Sequence, residues 1–131
     1  FLPLYVPYVV FRELEAELGE DIYPVILDAQ RELSLRNIHE EFIASGRTGK
    51  VVTRDKLYQE VLDSLPLRGL GNPIGCETHN GKLTITVENP FNEHMLAGHL
   101  CALYELGEGR EATVSWQYAD PSTLVVEVTP K

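Results

Sequence analysis

The stretch His79-Asn80-Gly81-Lys82-Leu83-Thr84-Ile85-Thr86-Val87-Glu88 decides the fold. Leu83, Ile85 and Val87 alternate with Lys82, Thr84, Thr86 and Glu88, the two-residue period of a strand with one dry and one wet face. Asn80-Gly81 stands directly before it. That pair tolerates the positive φ angles a tight hairpin needs, so Ile74 to His79 is predicted as the partner strand. A sheet with one apolar face has to be covered, and the rest of the chain supplies the cover.

Downstream, Asn89-Pro90-Phe91-Asn92 introduces a helix carrying Met95, Leu96, Leu100, Leu103 and Tyr104, which ends at Gly107 or Gly109. Ala112, Val114 and Trp116 return to alternation. A turn at Ala119-Asp120-Pro121-Ser122 then leads to Leu124, Val126 and Val128. The second half is therefore predicted as β-β-α-β-β.

Upstream the period is helical. A first helix runs from Pro7 through Val10, Phe11, Leu14 and Leu18, with Gly19 as its stop. A second opens near Asp21 and carries Ile22, Val25, Ile26, Ala29, Leu33, Ile38, Phe42 and Ile43 to Ser45-Gly46, with Pro24 in its first turn. The spacing breaks at Leu33-Ser34-Leu35, which predicts a kink or a split there. A third helix follows Thr53 as N-cap, with the stripe Leu57, Tyr58, Val61, Leu62 and Leu65, and Pro66 closes it. The fold class is α+β, N-terminal helices packed on a C-terminal antiparallel sheet.

The 131 residues make a single domain, 1–131, which begins without Met and so is expected to be a segment of a longer chain. With 44% hydrophobic and 24% charged residues the composition is globular. A net charge of -9 repels nucleic-acid phosphates, and the densest basic stretch, Arg47 to Lys56, is interrupted, so no nucleic-acid partner is expected. No apolar run approaches the roughly 18 residues of a membrane span. The apolar Phe1 to Phe11 carries two prolines and no basic flank, so it is expected to pack on the core or on a partner. Two cysteines, Cys76 and Cys101, are too few for a disulfide framework and read as reduced thiols of a cytoplasmic protein.

Motifs for chemistry fail one after another. Gly46-Arg47-Thr48-Gly49-Lys50 lacks phosphate-loop spacing and follows a helix where a strand is required. His94 and His99 are five residues apart and diverge by roughly 140° around a helix, which no shared metal tolerates. His39, beside Glu40 and Glu41, belongs to a wet face. There is no serine in a nucleophile elbow. The acidic run Glu13 to Asp21 is a solvated helix face. No catalytic residue, metal or cofactor is therefore assigned, and the chain is not expected to be an enzyme.

What remains is a supply of aromatic and soft groups. Tyr23, Phe42, Tyr58, Phe91, Met95, His99, Tyr104 and Trp116 are the candidate ligand-binding residues, together lining one cavity between helices and sheet, with Tyr5, Tyr8 and Phe11 alongside. The other reading of each is core packing.

The order of elements carries a resemblance. Leu67-Arg68-Gly69-Leu70-Gly71 precedes the hairpin, Val87-Glu88-Asn89-Pro90 ends its second strand, and Gly98-His99-Leu100-Cys101-Ala102-Leu103-Tyr104-Glu105 lies in the following helix. Over most of the chain this resembles the 4-vinyl-reductase-like domain, related in fold to TRAPP subunits and to haem-NO-binding sensors. The resemblance implies a non-catalytic sensor or carrier that binds a hydrocarbon, aromatic, lipid or tetrapyrrole-like ligand and dimerises. Some members hold zinc through cysteines on the last hairpin. Here Ser115 to Ser122 has none, so the metal is not carried over, and the likeness to the aromatic-sensing regulators that use it is weaker. The expected function is binding of an apolar small-molecule ligand as a homodimer through the N-terminal helices. The alternative is an interaction module with no ligand.

Overall fold

The computed structural model describes residues 12, 13, 15–41 and 53–131, and the backbone of 42–44. A tight turn at Gly19–Asp21 leads into helix α1 (Ile22–Ile38), which ends in a wider helical turn over His39–Ala44. Helix α2 (Arg54–Ser64), strands β1 (Asn72–His79) and β2 (Lys82–Glu88), helix α3 (Glu93–Glu108), and strands β3 (Ala112–Asp120) and β4 (Thr123–Pro130) follow. The expected helix around Pro7 and the Gly46-to-Lys50 connection lie outside the described residues.

The predicted hairpin forms, and its first strand extends two residues further toward the N-terminus than expected. Asn80 and Gly81 take φ angles of 50° and 77°, the pair of left-handed residues that turns two strands without splaying them. The sheet is antiparallel throughout, in the order β1-β2-β4-β3. Leu83 pairs with Val128, Ile85 with Val126 and Val87 with Leu124, so six branched side chains share one face. All six are fully buried.

Helix α3 lies on that face. Asn92 caps it by accepting from the N–H groups of His94 at 2.9 Å and Met95 at 3.0 Å. Gly109, at φ 72°, ends it in the left-handed conformation; of the two stops predicted, this is the one used. Every residue from Leu96 to Glu105 is buried, which makes α3 an interior helix with sheet on one side and α1 on the other. Each leucine it buries contributes about 1.5–3 kcal/mol. At Gly98 the two helices touch backbone to backbone. A Cβ there would stand 2.4 Å from the Leu27 carbonyl oxygen and 3.0 Å from the Arg31 nitrogen.

Helix α2 closes the flank. Its Thr53 hydroxyl accepts from the Lys56 N–H at 3.3 Å, and Leu57, Tyr58, Val61, Leu62 and Leu65 are buried as the stripe predicts. The expected split does not occur. Helix α1 runs through Leu33-Ser34-Leu35 without a break. Ser34 is 1% exposed and occupies an apolar slot of the stripe, while Leu33 is 48% exposed. The periodicity broke because a polar residue faces inward, and the backbone did not.

Candidate functional site

A buried polar network joins α1 to α3 and explains the inward serine. Gln30 Nε2 donates to Ser34 Oγ at 2.9 Å, and Ser34 Oγ shares a hydrogen bond of 2.7 Å with His99 Nδ1. One turn earlier on α1, Arg31 Nε donates to Glu105 Oε1 at 2.6 Å. The other oxygen of Glu105 accepts the Ala112 N–H at 2.9 Å. That pair ties both helices to the start of β3 and is fully spent on structure.

His99 is not fully spent. It is 3% exposed, and its Nε2 is buried with no hydrogen-bond partner among the described residues. Burial, reinforced by the Arg68 charge, pushes the imidazole pKa down to about 4, so the ring is neutral at physiological pH. Its two tautomers leave different capacities open. If the Ser34 hydroxyl donates to Nδ1, Nε2 is a donor; if Nδ1–H donates to Ser34, Nε2 is an acceptor.

Beside His99 is a cleft of about 170 Å³ between α1 and the segment after α2. Leu33, Ile38 and Leu70 give it apolar surface, and Ser34, Asn37 and Arg68 give it polar surface. Arg68 is held by an ion pair with Glu41. Sequence reasoning found His99 and missed Ser34, Asn37 and Arg68. The break in apolar periodicity at Ser34 was the signal that could have found the first of these.

The remaining predicted residues fall in separate places. Tyr23 stacks on His94, ring centroids 4.0 Å apart, and His94 meets Trp116 edge-on at 5.3 Å. This small aromatic cluster lies at the start of α3, and the Tyr23 hydroxyl donates to Glu15 at 2.9 Å. Burial lowers the His94 pKa, against the opposing charge of Glu93. Tyr58 is buried with its hydroxyl on Glu108 at 3.2 Å, and Tyr104 is buried with its hydroxyl on the Gly81 carbonyl at 2.5 Å. Met95 packs against the core, and Phe91 is partly buried, its N–H bonded to the Leu70 carbonyl. The side chain of Phe42 lies outside the described residues. Tyr58 lines a groove beside β1 and Tyr104 a depression at the hairpin, so of the described candidates only His99 lines the α1–α3 cleft. Among the described residues no three His, Cys, Asp or Glu side chains come close enough to hold a metal, and no helix is long and apolar enough to cross a membrane.

No family model and no curated protein matches the chain. Solved structures do. The phenol-responsive sensory domain of the transcription activator PoxR, solved with phenol, superposes with a TM-score of 0.71 at 12% identity, over 98% of this chain and 75% of its own. An H-NOX structure solved to probe the function of haem distortion in that family gives 0.66 at 12% identity, over 100% and 73%. A mutant of the T. tengcongensis H-NOX gives 0.59 at 13% identity, over 93% and 70%. At these identities the likeness is one of fold: the chain shares the α+β architecture of these structures.

Proposed function

We propose that this chain is a non-catalytic sensor domain whose small-molecule ligand sits in the α1–α3 cleft and presents a hydroxyl to His99 Nε2. The observation that carries the reading is that unspent buried nitrogen. An unsatisfied buried polar atom costs about 1–3 kcal/mol, which a ligand meeting it recovers. A hydroxyl both donates and accepts, so it suits either tautomer of His99.

Size narrows the class. An engineered apolar cavity of about 150 Å³ holds benzene, and this cleft has about 170 Å³. A single ring fits it, its apolar body against Leu33, Ile38 and Leu70, its hydroxyl on His99, and Arg68 and Asn37 at the polar side. This is a narrower class than the hydrocarbons and lipids that the sequence resemblance implied. The fold shared with a phenol-responsive domain supports it and favours the aromatic-sensing branch that the missing hairpin cysteines had weakened.

Haem, named for the H-NOX neighbours, fits poorly. His99 offers one imidazole nitrogen of the kind that ligates haem iron. The cleft, however, is below the roughly 300 Å³ at which pockets for drug-sized ligands begin, and a porphyrin is larger than that.

The domain works as a homodimer through its N-terminal helical region, a reading supported by the exposed apolar side chains Leu18, Val25 and Leu33. The same side chains favour the second reading, an interaction module with no ligand. The free thiols, one exposed at Cys76, suit a reducing, cytoplasmic setting.

Calorimetric titration with phenol and with benzene separates the readings. Wild type is expected to bind phenol at least tenfold more tightly than benzene, and His99→Leu to remove the difference. Equal affinities in wild type, or no saturable phenol binding, would count against the sensor reading. A haemin titration giving a Soret shift that disappears in His99→Leu would restore the haem reading.

A further inference from the structure

We propose that the strip between α2 and β1 is a docking groove for an extended basic peptide of a partner protein, which adds as a fifth strand to the free edge of β1. The proposal involves no residue of the His99 cleft and does not rest on the ligand reading.

The groove exists because the cover stops one strand short. Cys76 and Thr78 on β1 pair with Ile85 and Leu83 on β2, so these four side chains share the sheet's inner face. Leu83 and Ile85 are 0% exposed, while Cys76 and Thr78 are exposed. Helix α2 stands across the gap, and Tyr58 and Leu62 form its apolar wall. The space between has a volume of about 390 Å³. Ile74, 54% exposed, adds apolar surface on the strand side.

The strand offers the backbone half of the recognition. Among the described residues β1 is an edge, paired only with β2. In a two-residue hairpin His79 and Lys82 form a hydrogen-bonded pair. Glu77 with Thr84 and Gly75 with Thr86 then do the same, so the N–H and C=O groups of Cys76 and Thr78 point away from β2. Among the described residues no other backbone hydrogen bond uses residues 73–79. An unblocked edge beside a helix is the arrangement in which strand addition gives affinity and the groove gives specificity.

Charge selects the occupant. Asp55 and Asp63 line the groove, and no lysine or arginine does. Asp55 is paired with Arg54, whose charge is shared with Glu108. Asp63 makes no ion pair among the described residues. A second copy of this chain docking through the same surface would bring Asp55 and Asp63 toward themselves, with no lysine or arginine on β1 or in the groove lining to pair with them. A basic peptide has the complementary sign. Eight residue steps of helix separate the two aspartates and span about 12 Å, and an extended chain covers that in about four residues. The expected motif is a cation, an apolar residue two positions on, and a second cation two beyond that, all on one side of the added strand.

The test is a blocked synthetic peptide, Thr-Lys-Ser-Val-Ser-Lys-Thr, titrated calorimetrically and by amide NMR into the whole chain. Saturable binding with the largest shifts at Cys76 and Thr78 is expected. The double variant Asp55→Asn, Asp63→Asn should bind at least tenfold more weakly with unchanged Tm. Two further peptides, N-methylated at the valine or at the following serine, should differ at least tenfold, because only one of two adjacent amides faces β1. Equal binding of both methylated peptides would reduce the groove to a nonspecific anionic surface and overturn the proposal. So would absence of peptide binding, shifts confined to other strands, or sedimentation showing β1 covered by a second copy.

Discussion

The depressed pKa of His99 makes stability depend on pH in a way that one substitution removes. In the unfolded chain the imidazole titrates near its ordinary 6.5; in the fold it is held down to about 4. Between those values the unfolded chain binds a proton that the folded chain refuses. Stability is therefore complete above pH 6.5, falls as the pH drops through the window, and stops falling below about 4. The full effect is roughly 3 kcal/mol, and about 2 kcal/mol of it is lost between pH 8 and pH 5. Urea unfolding followed by the fluorescence of the single tryptophan, Trp116, measures it. Wild type should lose about 2 kcal/mol more over that interval than His99→Leu, since the carboxylates and other histidines are common to both. Parallel pH profiles would refute the reasoning, because they would mean that His99 titrates in the fold as it does in water. A one-ring hydroxylated ligand that bonds to the neutral ring should steepen the wild-type profile and leave that of the variant unchanged.

Three other outcomes follow from the packing. Gly98→Ala should lower stability by about 1–3 kcal/mol, because the new Cβ meets the fixed backbone of Leu27; an unchanged Tm would mean that α1 slides freely on α3. Glu105→Gln keeps an acceptor for the Ala112 N–H but removes the charge facing Arg31, and should cost about 1–3 kcal/mol by denaturant unfolding. In native protein a thiol reagent should modify Cys76 promptly and spare Cys101, which is buried, bonded to the Ala112 carbonyl and raised to about 11 in pKa; simultaneous reaction of both would contradict the packing of α3.

The elements were legible where local chemistry decides them. Asn80-Gly81 announced its hairpin, Thr53 and Asn92 announced their helices, and Leu83-Ile85-Val87 announced the buried face of the sheet. The site was legible only in part, because its residues meet across long sequence separations. Nothing near Arg68 or Leu70 shows that the turn after α2 will close over α1. The aromatic residues misled for a related reason. Composition counts rings without saying where they point, and Tyr58 and Tyr104 spend both ring and hydroxyl on structure. Ser34 is the instructive case. A polar residue in an apolar slot read as a backbone fault, while its partner, 65 positions away, was the one described candidate that reached the cleft.

Helix α3 has no side open to water along its buried length, and this limits how the molecule can respond to a ligand. A surface helix absorbs a push by shifting into solvent, whereas an enclosed one must carry its neighbours or stay still. Interiors packed as densely as organic crystals behave in the second manner. His99 and Leu100 are adjacent residues of one rigid rod, the first beside the cleft and the second in the core cluster formed with the sheet. At the proposed site, a displacement that a ligand imposed on the histidine would pass to the strands directly, with no loop between to absorb it.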